Sequence, residues 1–123
     1  MKIVISNSGE KPIYEQIVDQ VKGMILSGNI EQGEPLPSIR FLAKELRISV
    51  ITTKRAYEEL ENEGFITTIP GKGSFVSSSN TELLKEEHYR KIEDYFQKAV
   101  DVSRSIGMGK EELIEVLKML YDN

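Results

Sequence analysis

Cations and hydroxyls crowd one short stretch of this sequence. From Arg40 to Arg55, five cations (Arg40, Lys44, Arg47, Lys54 and Arg55) stand against one anion, Glu45. This local surplus lies in a chain of formal charge −4, so the distribution of charge matters more than its sum. Ser38, Ser49 and Thr52 lie beside or among these cations. Cations neutralise phosphates and hydroxyls donate to phosphate oxygens, so these residue types close together suit a nucleic acid. A further cation, Lys72, stands between Gly71 and Gly73. The two glycines permit a tight turn and a close approach to a sugar-phosphate chain, which places Lys72 in or beside a minor groove. The run is no nucleotide cradle. It lacks the glycine spacing and the Lys-Ser/Thr pair of a phosphate loop, and it joins two strand-like segments with no helix following.

Other chemistries are excluded by what the chain lacks. There is no cysteine, hence no disulfide framework and no thiolate metal site. The single histidine, His88, forms no metal cluster by itself and reads as a solvated helix residue. The carboxylates Glu58, Glu59, Glu61 and Glu63, like Glu86 and Glu87, fit solvated helix faces and imply no acid/base pair. No nucleophile–base pair or cofactor loop is present, so neither an enzyme nor a cofactor is expected. No apolar run reaches the roughly 20 residues of a membrane helix. The N-terminus lacks a signal-peptide pattern, so the expected compartment is the cytoplasm, without a membrane partner.

The cationic stretch needs elements to present it. Lys2-Ile3-Val4-Ile5 reads as a short strand or extended arm. Pro12 suits the first turn of a helix, and Ile13, Ile17, Val21, Met24 and Ile25 recur at helical spacing up to Ser27. Pro35 and Pro37 deny a helix over 29–37, which reads as a loop. Ser38 then caps a short helix carrying Ile39, Leu42, Ala43 and Leu46, and Arg47-Ile48 forms a turn. Ser49 caps a longer helix to Glu63, with Thr53, Ala56, Tyr57 and Leu60 inward and Val50, Ile51, Lys54, Arg55 and Glu58 outward. A short helix, a tight turn and a longer helix form a helix-turn-helix. Phe65–Ile69 and Ser74–Val76 then read as a β-hairpin, a wing with Lys72 at its tip.

Beyond a polar linker at 78–80 the pattern changes. Leu84, Tyr89, Ile92, Phe96, Val100 and Ile106 suggest one amphipathic helix. Leu113, Val116, Leu117 and Leu120 suggest a second, after the interruption at Gly107 and Gly109. Two such helices close no core by themselves, and a second copy of the chain is the simplest cover. Tyr89, Tyr95 and Phe96 are read as interface packing, or as the lining of a small pocket at that interface. The expected class is mostly α with a small β-hairpin (α+β). It comprises an N-terminal winged helix-turn-helix over 1–77, a linker over 78–80 and a two-helix dimerisation tail over 81–123.

The assembled residues resemble the GntR family of bacterial transcription regulators. The match runs through Pro12-Ile13-Tyr14-Glu15-Gln16-Ile17, through Leu36-Pro37-Ser38-Ile39-Arg40, and through Lys54-Arg55-Ala56-Tyr57. It ends with Gly71-Lys72-Gly73-Ser74-Phe75-Val76. The short tail resembles the YtrA-type branch, in which such a tail dimerises the protein and which is associated with ABC-transporter operons. The resemblance implies that Arg40 braces a phosphate, where the residue by itself reads as a surface arginine. Ser49 and Thr52 become phosphate donors, with capping as the plain role of Ser49. Lys54 becomes a base or phosphate contact, where the residue alone reads as a solvated lysine. Arg55 has two readings, a DNA contact or an ion pair with Glu45, Glu58 or Glu59.

The sequence departs from the family at two positions. Val50 stands where the family often has Arg or Pro, and Ile51 where Thr or Asn is common. Both remove polar groups from the base-reading edge, where an apolar residue can contact a thymine methyl.

The function expected is that of a homodimeric repressor of a near-palindromic double-stranded operator. The competing reading is a winged-helix protein-interaction adaptor without DNA binding. The residues specify no effector, operator sequence or regulated gene.

Overall fold

The computed structural model describes residues 1–77 and 81–123, with residues 81–83 described by backbone alone. The linker expected over 78–80 lies outside the described residues. In chain order the elements are α1 (Ile13–Leu26), α2 (Ile39–Leu46), α3 (Val50–Asn62), β1 (Ile66–Ile69), β2 (Gly73–Val76), α4 (Thr81–Ser105) and α5 (Lys110–Asp122). Among the described residues, five helices and one small antiparallel hairpin give the mostly α class expected. The chain divides into two compact units, Met1–Glu82 and Leu83–Asn123.

The first unit is built on three apolar helix faces. Ile17, Val18, Val21 and Ile25 of α1 are buried at the spacing of one helical stripe. Leu42 and Ala43 of α2, Ala56, Tyr57 and Leu60 of α3, and Phe65, Ile66 and Val76 of the hairpin complete the core. Pro12 is the N-cap of α1, one residue outside the first turn in which the sequence places it. Lys22 ties α1 to the end of α3. Its Nζ lies 2.6 Å from Glu63 and 5.5 Å from the Phe65 ring centre.

β1 and β2 pair antiparallel, with Ile66 opposite Val76 and Ile69 opposite Gly73. The segment expected as a loop over 29–37 partly joins them as a third, irregular strand. The Gly33 N–H donates to the Val76 carbonyl, the Val76 N–H to the Glu34 carbonyl and the Leu36 N–H to the Ser74 carbonyl, each at 2.9 Å. Pro35, bridged to Phe75, falls between these bonds, so its missing N–H costs no ladder contact. The prolines that forbid a helix are tolerated at this edge.

The N-terminal arm forms no strand. Two glutamines of α1 hold it instead. Gln20 exchanges a pair of hydrogen bonds with the Val4 backbone at 2.9 and 2.8 Å, and Gln16 does the same with Ser6 at 2.8 and 2.9 Å. A side-chain amide carries one acceptor and a donor pair, so it can stand in for a neighbouring strand. Ile3 is buried beside this clasp.

The second unit has almost no interior. α4 ends as the Met108 N–H donates to the Ser103 carbonyl at 2.8 Å and the Gly107 N–H to Arg104 at 3.2 Å. This is the paired closure of a Schellman motif. Gly109 then caps α5. No residue of α5 is buried, and on α4 only Ser103 is, among the described residues. Phe96, Ala99 and Val100 of α4 face Leu113, Val116, Leu117 and Leu120 of α5 across an apolar groove of about 350 Å³. His88, expected in solvent, is half-buried, and its Nδ1 bonds the Leu84 carbonyl at 2.9 Å.

Candidate nucleic-acid interface

The interface is assembled by two capped helices and the turn between them. The Ser38 hydroxyl accepts the Phe41 N–H at 3.1 Å, so α2 starts sharply after two prolines. The Ser49 hydroxyl does the same for the Thr52 N–H at 3.0 Å, starting α3. Between them Arg47 adopts a left-handed conformation, with φ 57 and ψ 47. The Ile48 N–H then reaches back to the Ala43 carbonyl at 3.0 Å and closes the end of α2. This is a helix C-terminal motif that glycine usually serves.

A single buried hydroxyl fixes how the two helices meet. The Tyr57 hydroxyl donates to the Pro37 carbonyl at 2.7 Å, tying the middle of α3 to the residue before the cap of α2. Burial pushes this phenol well above its ordinary value of 10.0. The residue reads from sequence as core alone. The signal for its second role was available, because a buried tyrosine must find a partner for its hydroxyl.

With the inner face of α3 sealed, its other face is free. Ser49, Val50, Ile51, Lys54 and Arg55 are exposed, and Thr52 is half-buried. Thr53 is fully buried, its hydroxyl bonded to the Ser49 carbonyl at 3.1 Å. Ser49 also donates to the Thr52 hydroxyl at 2.7 Å, so Thr52 keeps the outward proton of the pair. Lys54 lies 3.9 Å from Glu58, with both side chains largely exposed. Such a pair contributes little and releases its lysine readily.

Arg55 is exposed on α3. Its guanidinium lies over the Tyr14 ring, 3.8 Å from the centroid, which joins α3 to α1 through a cation–π contact. Ser38 and Arg40 are exposed at the start of α2, as is Phe41, an apolar surface residue that the sequence reading passes over.

The wing tip is a type II turn. The Lys72 N–H donates to the Ile69 carbonyl at 2.9 Å, Pro70 takes the second position, and Gly71 has φ 77 in the third. Gly73 follows at φ 115. Gly71, Lys72 and Gly73 are all exposed.

The model of the bacterial regulatory proteins of the gntR family matches residues 13–76, just over half of the chain. The chain belongs to the GntR family. Among its GntR relatives is the HTH-type transcriptional repressor YtrA of Bacillus subtilis (strain 168), 34% identical over 116 residues, which cover 94% of this chain and 89% of the relative. The GntR-family transcription factor YtrA from Sulfolobus acidocaldarius matches with a TM-score of 0.60 and 36% identity, over 73% of this chain and 96% of that one. A GntR-family regulator from Listeria monocytogenes matches with a TM-score of 0.73 and 29% identity, over 94% and 98%. The protein is therefore a DNA-binding transcriptional regulator of the GntR family, with YtrA-type relatives, and its fold is that of regulators, which are not enzymes. Among the described residues no helix is long and apolar enough to cross a membrane.

Proposed function

We propose that this GntR protein represses transcription as a homodimer bound to a near-palindromic operator, acting in the cytoplasm where that operator lies. One observation carries the reading. α3 buries Thr53, Ala56, Tyr57 and Leu60 and turns Ser49, Thr52 and Lys54 toward solvent at its N-terminal end. A helix so mounted is built to enter a major groove end-on, with Arg40 at the start of α2 bracing a phosphate. Lys72 and its flanking glycines lie against the neighbouring backbone or minor groove.

Dimerisation rests on α4 and α5. Phe96, Ala99, Val100 and Ser103 follow the spacing of one helical face, as do Leu113, Val116, Leu117 and Leu120. Leu84, Tyr89 and Ile92 extend the stripe of α4. Two-fold pairing of these helices covers the stripes, and two-fold symmetry in the protein calls for symmetry in the operator. Residues 1–77 then serve as the DNA-binding domain and 81–123 as the dimerising one. The relative from Bacillus subtilis is named a repressor, which supports repression here. Control of a transporter operon follows from the branch association alone.

A mobility-shift assay on the protein's own promoter region, repeated across a salt series, tests this reading. Lys54→Ala and Arg40→Ala should each weaken binding and lower the salt slope by about 1 while leaving the thermal transition in place. Salt-insensitive or absent binding favours the adaptor reading. Unchanged affinity in both variants removes the site assignment.

A further inference from the structure

The N-terminal turn of α3 is short of polar base readers. Direct readout of guanine and adenine relies on Arg, Lys, Asn and Gln side chains. From Ser49 to Glu58 there are two such side chains: Lys54, a flexible point charge a turn below the tip and 3.9 Å from Glu58, and Arg55, whose guanidinium is stacked 3.8 Å from the Tyr14 ring centre. The Ser49 hydroxyl is occupied twice, accepting the Thr52 N–H and donating to the Thr52 oxygen. What remains outward at the tip is one threonine proton and two large apolar side chains. Ile51 is 81% exposed and Val50 48% exposed.

These two are the first residues of α3 after its cap. Both are β-branched, so each is held near one helical rotamer and presents its methyl groups rigidly. Side chains on a helix lean toward its N-terminus, the end that enters the groove. Among the four base pairs, the only apolar group on the major-groove edge is the C5-methyl of thymine.

We propose that Val50 and Ile51 read thymine methyl groups, so that each operator half-site carries thymine where the tip of α3 meets the groove. The inference rests on the operator reading above and deepens it. It assigns base discrimination to an apolar contact, with Lys54, Arg40 and Lys72 supplying phosphate contacts that are blind to sequence.

The test begins with a duplex selected by the full-length protein from random-sequence DNA. Each thymine is then replaced in turn by deoxyuridine, which deletes only the methyl group. Wild-type protein should lose about fourfold in affinity at one or two thymines per half-site, the worth of one buried methyl. Ile51→Ala or Val50→Ala should be indifferent to the same replacements, with the salt slope of binding unchanged. At those positions 5-methylcytosine should bind better than cytosine, which separates the methyl from the remainder of the base edge. If a specific duplex is selected but no deoxyuridine replacement distinguishes wild type from both variants, the proposal is overturned and the operator reading stands. If no specific duplex is selected, both fall together.

Discussion

Tyr57 is the residue on which the geometry of the interface depends most. Its hydroxyl bridges α3 to Pro37 at 2.7 Å. Tyr57→Phe keeps the packing and leaves the Pro37 carbonyl without its partner, so unfolding in urea should show a loss of about 1–2 kcal/mol. The pH dependence has a definite sign. Burial raises the phenol above its ordinary 10.0, so the folded state holds a proton that the unfolded state releases first. Wild-type stability should therefore fall as pH rises past about 10, and Tyr57→Phe should fall less steeply over that window. Arg47 offers the opposite case. A non-glycine residue at φ 57 costs about 1–2 kcal/mol, partly offset because glycine has more freedom to lose on folding. Arg47→Gly should raise the unfolding free energy by a few tenths to about 1 kcal/mol, seen as a higher urea midpoint without a change in slope. Periodicity placed Thr53 and Tyr57 inward correctly. It could not place Arg55 over Tyr14, because that partner is 41 residues away and glutamates much nearer in sequence, such as Glu45, Glu58 and Glu59, offer rival ion pairs.

The hairpin shows the same balance between local signal and distant partner. Its turn was legible because Pro70 and Gly71 are the residues a type II turn demands at its two central positions. Nothing lies within 4 Å of a Cβ built on Gly71, so its glycine is required by conformation and not by space. Gly71→Ala should accordingly cost about 1 kcal/mol in urea and alter nothing in the core spectrum. A larger loss would mean that the wing tip packs on something. The partner of β2 on its other side was not legible. Gly33, Glu34 and Leu36 pair with it through backbone groups, which carry no side-chain signature, and the prolines beside them read as loop. The clasp by Gln16 and Gln20 was hidden for a related reason, since an isolated glutamine on a helix face normally faces water.

At the scale of the whole molecule the question is what covers α4 and α5. Their stripes were plain from spacing alone, since amphipathic helices announce an apolar face even when nothing in the same chain is there to meet it. A 25-residue and a 13-residue helix with one buried residue among the described ones leave their apolar stripes unfilled. If a second copy fills them, a charge placed in the groove must break the pair without touching the DNA-reading unit. Leu117 lines the groove and is 42% exposed, so a glutamate there keeps its solvation in a monomer and loses it in a dimer. Leu117→Glu should sediment as a monomer at concentrations where the wild type is a dimer. The thermal transition of the first unit should be retained, since its core is complete within that unit. Affinity for a two-half-site duplex should fall by about 100-fold or more, because each arm then binds without the effective concentration its partner supplies. Affinity for a single half-site should be unchanged. A Leu117→Glu protein that stays dimeric, together with a Phe96→Glu protein that does so as well, would remove the tail from the interface and place the symmetry of the molecule elsewhere.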